Sequence, residues 1–298
     1  MKKTIYALGF FDGVHIGHAA LLRECRTLAA AHKAASGVAT FGAHPDALVL
    51  GKAPSLISSP EDRQWLLTNR FGMDTVLTLP FDEHMMHMPW RDFLGMMRQQ
   101  YGAVGFVCGE DFRFGFRGQG TASALADYCR EAGLPWAVVP EQTLDGQRVS
   151  STRIRQVLEA GDMAGAARLL GHPYVLRGEV LHGRGLGHRL GFPTANLAWK
   201  PYLLRPKAGV YVCRATVGES TFPAVTNIGT RPTVQGHEHR AESWLLGFAG
   251  DLYGRELVLE FYDFLREERK FESLDALKAQ IFADAEKTKA FFETPGEG

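Results

Sequence analysis

The periodicity of the sequence changes at Gly171-His172-Pro173. Before that tripeptide, short apolar runs alternate with amphipathic segments. Ile5–Phe10, Gly37–Phe41, Asp74–Leu79, Ala103–Cys108 and Trp136–Val139 read as buried strands. His18–Ala35, Trp90–Tyr101 and Thr121–Ala132 carry helical spacing. Ser59-Pro60-Glu61-Asp62 opens a further helix with a capping hydroxyl, a first-turn proline and two acids facing the dipole. Such alternation predicts a parallel sheet with crossover helices. Two short helices, Ser151–Ala160 and Met163–Leu170, complete this part.

After Pro173 the runs are short, β-branched or aromatic, and divided by Gly, Pro and Asn turns. They are Tyr174–Leu181, Gly209–Val217, Ala224–Ile228, Ala241–Phe248 and Glu256–Phe264. That texture predicts an antiparallel β domain, barrel or sandwich. Ser273 caps a closing helix running to about Phe292, with Leu274, Leu277, Ile281 and Phe282 on one face. The expected fold is an α/β, Rossmann-like domain over residues 1–172, followed by an antiparallel β domain with a C-terminal helix over residues 173–298.

Charge narrows the partners. Lys+Arg and Asp+Glu both number 33, so the 298-residue chain has no net charge and no basic footprint for nucleic acid. Small anionic ligands remain open. Cys25, Cys108, Cys129 and Cys213 form no CxxC pair, which points to a reducing compartment. Asp12 and His15 break the first apolar run, and no stretch reaches the roughly 18 apolar residues of a membrane span. The expectation is a cytoplasmic protein, a monomer or weak homo-oligomer, acting on small molecules without nucleic acid or membrane.

The loop Gly9-Phe10-Phe11-Asp12-Gly13-Val14-His15-Ile16-Gly17-His18 joins the first strand to the first helix. In an open parallel sheet, ligands sit at the carboxyl ends of strands. Gly13 and Gly17 allow a backbone to approach an anion, and the helix start aims N–H groups at it. His15 and His18 can donate to phosphate oxygens and stabilise charge during transfer. A His-x-x-His metal pair or two surface histidines are the alternatives. The His-x-Gly-His signature resembles the nucleotidyltransferase superfamily. Its partner here is Ser150-Ser151-Thr152-Arg153-Ile154-Arg155, hydroxyls at a helix start followed one turn on by Arg155, able to grip a polyphosphate from the other side. An ordinary capped helix is the plainer reading. Thr40–Pro45 and Gly109–Gly115 also follow strands; Phe112 offers a ring to stack and Asp111 an acceptor.

In the second part, Gly178, Gly183, Gly185, Gly187 and Gly191 precede Phe192-Pro193-Thr194-Ala195-Asn196. Such a loop can present amides to phosphates, and Thr194 and Asn196 are hard oxygen donors suited to Mg²⁺ bridging phosphates. Arg177, Arg184 and Arg189 read as solvated charges. Glu242, alternating with apolar neighbours, is either a solvent-facing acid or a general base for a hydroxyl attacking a γ-phosphate. Arg266 on its own reads as solvated.

Taken together, Gly9–His18, Gly109–Gly115, Ser150–Arg155, Gly191–Asn196, Asn227–Thr233, Asp251–Gly254 and Leu265–Phe271 resemble, in order, the prokaryotic bifunctional riboflavin kinase/FAD synthetase family. The resemblance implies an N-terminal FMN adenylyltransferase (nucleotidyltransferase) domain and a C-terminal β-barrel flavokinase domain. It implies that His15, His18, Ser151, Thr152 and Arg155 handle ATP phosphates, with Gly13 and Gly17 beside them. Asp111 would lie near the flavin, with Phe112 and Arg266 as further flavin candidates. Thr194 and Asn196 would hold Mg-ATP beside Gly183 and Gly187, and Glu242 would be the base. The substrates implied are ATP, riboflavin and FMN, with Mg²⁺ as cofactor. His188, Ala43 and Trp244 depart from the family's usual arginine, proline and histidine. Two other classes stay open: a half-enzyme with one regulatory domain, and a non-catalytic flavin sensor.

Overall fold

The computed structural model describes residues 2–183, 187, 191–233 and 236–293. The chain divides into two compact units, Met1–Ser151 and Thr152–Gly298. The unit boundary thus precedes the change of texture at 171–174, which marks where helix gives way to strand.

The first unit opens with β1 (Thr4–Leu8), α1 (Ile16–Ala31) and β2 (Ala35–Phe41), then α2 (Asp46–Val49) and α3 (Pro60–Trp65). β3 (Thr75–Leu79), α4 (Glu83–His87), α5 (Trp90–Tyr101) and β4 (Ala103–Gly109) follow. A ribbon of β5 (Arg113–Phe114) and β6 (Gly120–Thr121) leads to α6 (Ala122–Ala132) and β7 (Trp136–Val139). A second ribbon, β8 (Thr143–Leu144) and β9 (Gln147–Arg148), precedes α7 (Ser151–Ala160). The main sheet is parallel throughout, in the order β3-β2-β1-β4-β7. Strand order reverses between β1 and β4, so the crevice for a ligand opens beyond their carboxyl ends. There lie the Gly9–His18 and Gly109–Gly115 loops.

Both predicted caps are in place. Ser59 Oγ accepts from the Asp62 amide at 3.0 Å, and Ser273 Oγ accepts from the Ala276 amide at 3.1 Å. The first helix differs from expectation at both ends. It starts at Ile16 with His15 as its cap, and ends at Ala31, where Lys33 at φ 51 turns the chain out. Alanine-rich composition carried the helix reading too far, into a strand that packs in the core.

In the second unit α7 continues into α8 (Met163–Leu170), then β10 (Tyr174–Glu179), β11 (Ala195–Ala198) and β12 (Gly209–Val217). β13 (Ser220–Thr233), β14 (Gly236–Leu245), β15 (Glu256–Arg266) and α9 (Leu274–Glu293) complete it. The sheet is antiparallel in the order β10-β15-β12-β13-β14-β11. Its two ends meet where the Leu181 amide donates to the Asn196 carbonyl at 2.9 Å, so the sheet is a nearly closed barrel and not a sandwich. β13 and β14 form one hairpin longer than the apolar runs suggested, and the four-residue β11 is too short to have stood out. α8 packs on β10 and β15, while α9 covers β12 and β13.

Candidate active sites

In the first unit His15 serves as the cap of α1: its Nδ1 accepts from the His18 amide at 3.3 Å. That bond places the ring proton on Nε2, which makes Nε2 a donor. The His15 and His18 rings stack, with centroids 3.6 Å apart and planes 14° from parallel. Gly17 is what permits this, because a Cβ there would stand 3.0 Å from His15 Cε1 and 3.1 Å from Nδ1. Burial, reinforced by His15 and then Arg63, holds the His18 proton affinity well below the usual histidine value. His18 is therefore neutral near pH 7. Its buried Nδ1 has no hydrogen-bond partner among the described residues.

The backbone under the histidines is strained. Phe11, Gly13 and Val14 all have positive φ (58°, 77° and 45°), and Phe11 and Val14 are fully buried. A β-branched residue in this region is costly and persists only where its surroundings enforce it. Those surroundings are identifiable. Asp12, 3% exposed, accepts from the Ile57 amide at 2.9 Å and the Ser58 amide at 3.1 Å. Arg63, 1% exposed, donates from Nη1 to the Phe10 carbonyl at 2.9 Å and from Nη2 to the Phe41 carbonyl at 2.5 Å. Its guanidinium also lies 4.3 Å over the Phe10 ring. Thr40 Oγ1 reaches the same Phe10 carbonyl at 2.9 Å, and Ser151 Oγ the Asp12 carbonyl at 3.1 Å. Arg63 thus ties together the loops leaving β1 and β2. Sequence reasoning missed it, since a single arginine inside a capped amphipathic helix reads as a surface charge.

His15, Gly17, His18, Ser150 and Ser151 line one cavity of about 270 Å³. Gly13 is buried in the turn below it. Thr152, exposed, follows Ser151 directly, and the half-buried Arg155 is one turn further along α7; both belong to the second unit. Asp111 and Phe112 line the same cavity and an adjoining, largely apolar one of about 770 Å³. There Phe112 stacks on Phe114 at 5.3 Å, and Phe10, Phe41, Phe81 and Met85 complete the walls. Asp111 is paired to Arg148, which also meets Glu141 at 2.8 Å.

The second unit holds a cavity of about 450 Å³ that gathers Gly183, Gly187, Thr194, Asn196, Glu242 and Arg266. Register accounts for the grouping: Asn196 pairs with Glu242 across β11 and β14, and Glu242 with Asn227 across β14 and β13. Paired residues share a face of the sheet, so Glu242 points into the cavity between two asparagines. Asn196, 3% exposed, donates from Nδ2 to the Thr194 carbonyl at 3.2 Å, and its buried Oδ1 is unpartnered among the described residues. A Cβ on Gly183 would stand 2.6 Å from Asn196 Nδ2, and one on Gly187 2.5 Å from the Phe192 carbonyl. Trp244 packs edge-on against Phe282 at 5.7 Å and against Phe192 at 5.9 Å, on the apolar side of the cavity with Leu277 and Ile281.

Two readings of isolated arginines are corrected. Arg177 is not a solvated charge: its side chain is 11% exposed and paired with Glu256, two residues from its strand partner Val258 on β15. Arg266 is not solvated either; it is gripped by the buried Asp284. Each is withdrawn from water by tertiary contacts that local pattern does not disclose. Arg184, Gly185, His188 and Arg189 lie outside the described residues, as do the side chains of Thr230–Thr233 in the Asn227–Thr233 motif.

Comparison with known proteins decides between the enzyme classes. The FAD synthetase family model matches residues 1–153 and the riboflavin kinase model residues 170–292. The chain belongs to the bifunctional riboflavin kinase/FMN adenylyltransferase family. Its relatives of that description include one from Pseudomonas fluorescens, 38% identical over 97% of this chain and 93% of the relative. One from Escherichia coli is 36% identical over 98% and 93%. Like the family, the chain phosphorylates riboflavin to FMN with ATP and adenylylates FMN to FAD, releasing pyrophosphate. A crystal structure described as a macrolide-efflux protein of Streptococcus pneumoniae shares the fold, with a TM-score of 0.84 at 31% identity, over 97% of this chain and 94% of that one. That description belongs to the pneumococcal protein. Among the described residues here, no helix is long and apolar enough to cross a membrane.

Proposed function

We propose that each activity has its own cavity: adenylyl transfer in a domain of residues 1–172, and riboflavin phosphorylation in residues 173–298. The observation that carries this reading is the separation of the candidate groups, with the stacked histidines and Ser151 around one cavity, and Thr194, Asn196 and Glu242 around another.

In the first, the FMN phosphate attacks the α-phosphorus of ATP and pyrophosphate leaves. The phosphate is already anionic and needs no base. Positioning and charge stabilisation therefore carry the reaction, with His15 Nε2–H, neutral His18 and Ser151 on the phosphates. Gly13 and Gly17 let the backbone approach. The apolar cavity walled by Phe112, with Asp111 at its mouth, suits the isoalloxazine ring.

In the second, Glu242 takes the proton of the ribityl 5′-hydroxyl as its oxygen bonds to the γ-phosphorus and ADP leaves. Arg266 stands at the flavin end. Thr194 Oγ1 and the unpartnered Asn196 Oδ1 are neutral oxygen donors of the kind Mg²⁺ takes beside phosphates, so the residues fit that ion. Mg²⁺, when bound, neutralises the phosphates, while Gly183 and Gly187 leave room for the chain to cradle them. ATP chemistry and four buried free cysteines support a cytoplasmic setting, and the absence of net charge supports action without nucleic acid.

The test is a crossed pair of variants incubated with riboflavin, ATP and Mg²⁺, followed by chromatography of the flavins. His18→Ala should abolish FAD while sparing FMN formation, and Glu242→Ala should abolish FMN formation while sparing conversion of added FMN to FAD. Loss of both activities in either folded variant would overturn the division.

A further inference from the structure

Asn227 completes the row on the second cavity, abreast of Glu242 on the side away from Asn196. Its Nδ2 donates to Glu268 Oε1 at 2.8 Å. A carboxylate only accepts, so this bond fixes the amide with its carbonyl oxygen turned away from Glu268. Gly229 preserves the arrangement, because a Cβ there would stand 2.5 Å from Glu268 Oε1 and 3.0 Å from Asn227 Nδ2. The oriented Oδ1 is buried and has no hydrogen-bond partner among the described residues. A buried acceptor held without a donor marks the place of a ligand's donor.

The chemistry of the two substrates selects between them. A triphosphate brings acceptors to such an atom; a polyol chain brings hydroxyl donors. Asn196, across Glu242, has the position and donor set for the nucleotide. The aromatic and aliphatic groups Val225, Trp244, Ile281 and Phe271 lie in the same cavity to receive a ring. We propose that Asn227 is a binding and specificity residue for riboflavin, accepting a hydrogen bond from a ribityl hydroxyl beside the one that Glu242 deprotonates. Glu268 is then a positioning residue, acting through the Asn227 amide. The inference rests on Glu242 marking the kinase site.

The test uses the full chain and FMN formation at saturating Mg-ATP, with lumiflavin, which has the ring system and no polyol, as competitive inhibitor. Asn227→Ala should raise the riboflavin KM about tenfold, the effect of one lost hydrogen bond in a buried site. The inhibition constant of lumiflavin and the KM for ATP should stay within about twofold. Glu268→Ala, at an exposed position, should move the riboflavin KM in the same direction by a smaller factor while leaving lumiflavin alone. Conversion of FMN to FAD by the other unit reports an intact chain. Equal weakening of riboflavin and lumiflavin, a shift in the ATP KM instead, or an unchanged riboflavin KM in both variants would each overturn the inference. If Glu242→Ala leaves FMN formation intact, the kinase-site reading itself has failed, a result separable from these.

Discussion

Asp284, on α9, receives the guanidinium of Arg266, on β15, at 3.0 Å and 3.2 Å from Nε and at 2.8 Å from Nη2. Gln280, one turn earlier on α9, donates to the same carboxylate at 2.8 Å. Asp284 is 1% exposed and Arg266 20%, so the pair is largely withdrawn from water and pins the closing helix to the barrel beside the end of the cavity proposed for the flavin. Removing the acid strands the buried cation. Asp284→Ala should destabilise the second unit by about 3 kcal/mol, measured by denaturant unfolding of the full chain. The milder Asp284→Asn should raise the riboflavin KM more than it lowers kcat.

Gly17→Ala tests the histidine stack. The added methyl meets the His15 ring at 3.0 Å, and the ring, being a side chain, can give way without unfolding the helix. FAD formation should fall on the order of tenfold to a hundredfold, since a displacement of about 1 Å suffices for such a loss. FMN formation in the same preparation should be unchanged.

The pH dependence has a definite sign. Below the ordinary histidine value of 6.5 an unfolded chain protonates His18, whereas the folded chain, whose His18 affinity is depressed by burial, does not. The unfolded state then binds more protons, so stability rises with pH and is lost on acidification from about 6.5 downwards. Denaturant titrations from pH 7.5 to 5 should show this slope in the natural chain and a shallower one in His18→Asn. The rate of FAD formation should show no inflection from His18 between pH 6 and 8.

Arg63 holds two carbonyls with one planar group, and burial lowers its own proton affinity to about 10, still far above neutrality. A lysine keeps the charge and cannot span both oxygens. Arg63→Lys should therefore lower FAD formation while leaving FMN formation untouched. Arg63→Met, which removes the buried cation beside the Asp12 charge and its donors to the Phe10 and Phe41 carbonyls, should destabilise the first unit by about 3 kcal/mol.

Much of this architecture was legible because burial leaves a periodic trace. The strands Trp136–Val139 and Gly209–Val217 and the helices Trp90–Tyr101 and Met163–Leu170 fall where the apolar spacing puts them. That His15 and His18 would line a cavity at the sheet's carboxyl edge was legible from the glycines and the strand-to-helix junction around them, and Ser151 from its place at a helix start. Glu242 could not be told from a solvent-facing acid until strand register set it between two asparagines, a relation among residues far apart in sequence. Arg63, Arg177 and Arg266 were misjudged or missed for the same reason. Each is a charge whose burial depends on what tertiary structure lays over it, and neither propensity nor spacing carries that information.

The seam of the barrel has a consequence of its own. Asn196 closes the wall with its backbone carbonyl, taken by Leu181, while its side chain lines the cavity proposed above for Mg-ATP. One residue thus couples ligand occupancy to the opening of the sheet. By linkage, a nucleotide that grips the side chain also suppresses fraying of the seam, and the Leu181 amide should exchange its proton for deuterium more slowly when ADP is bound than when it is absent.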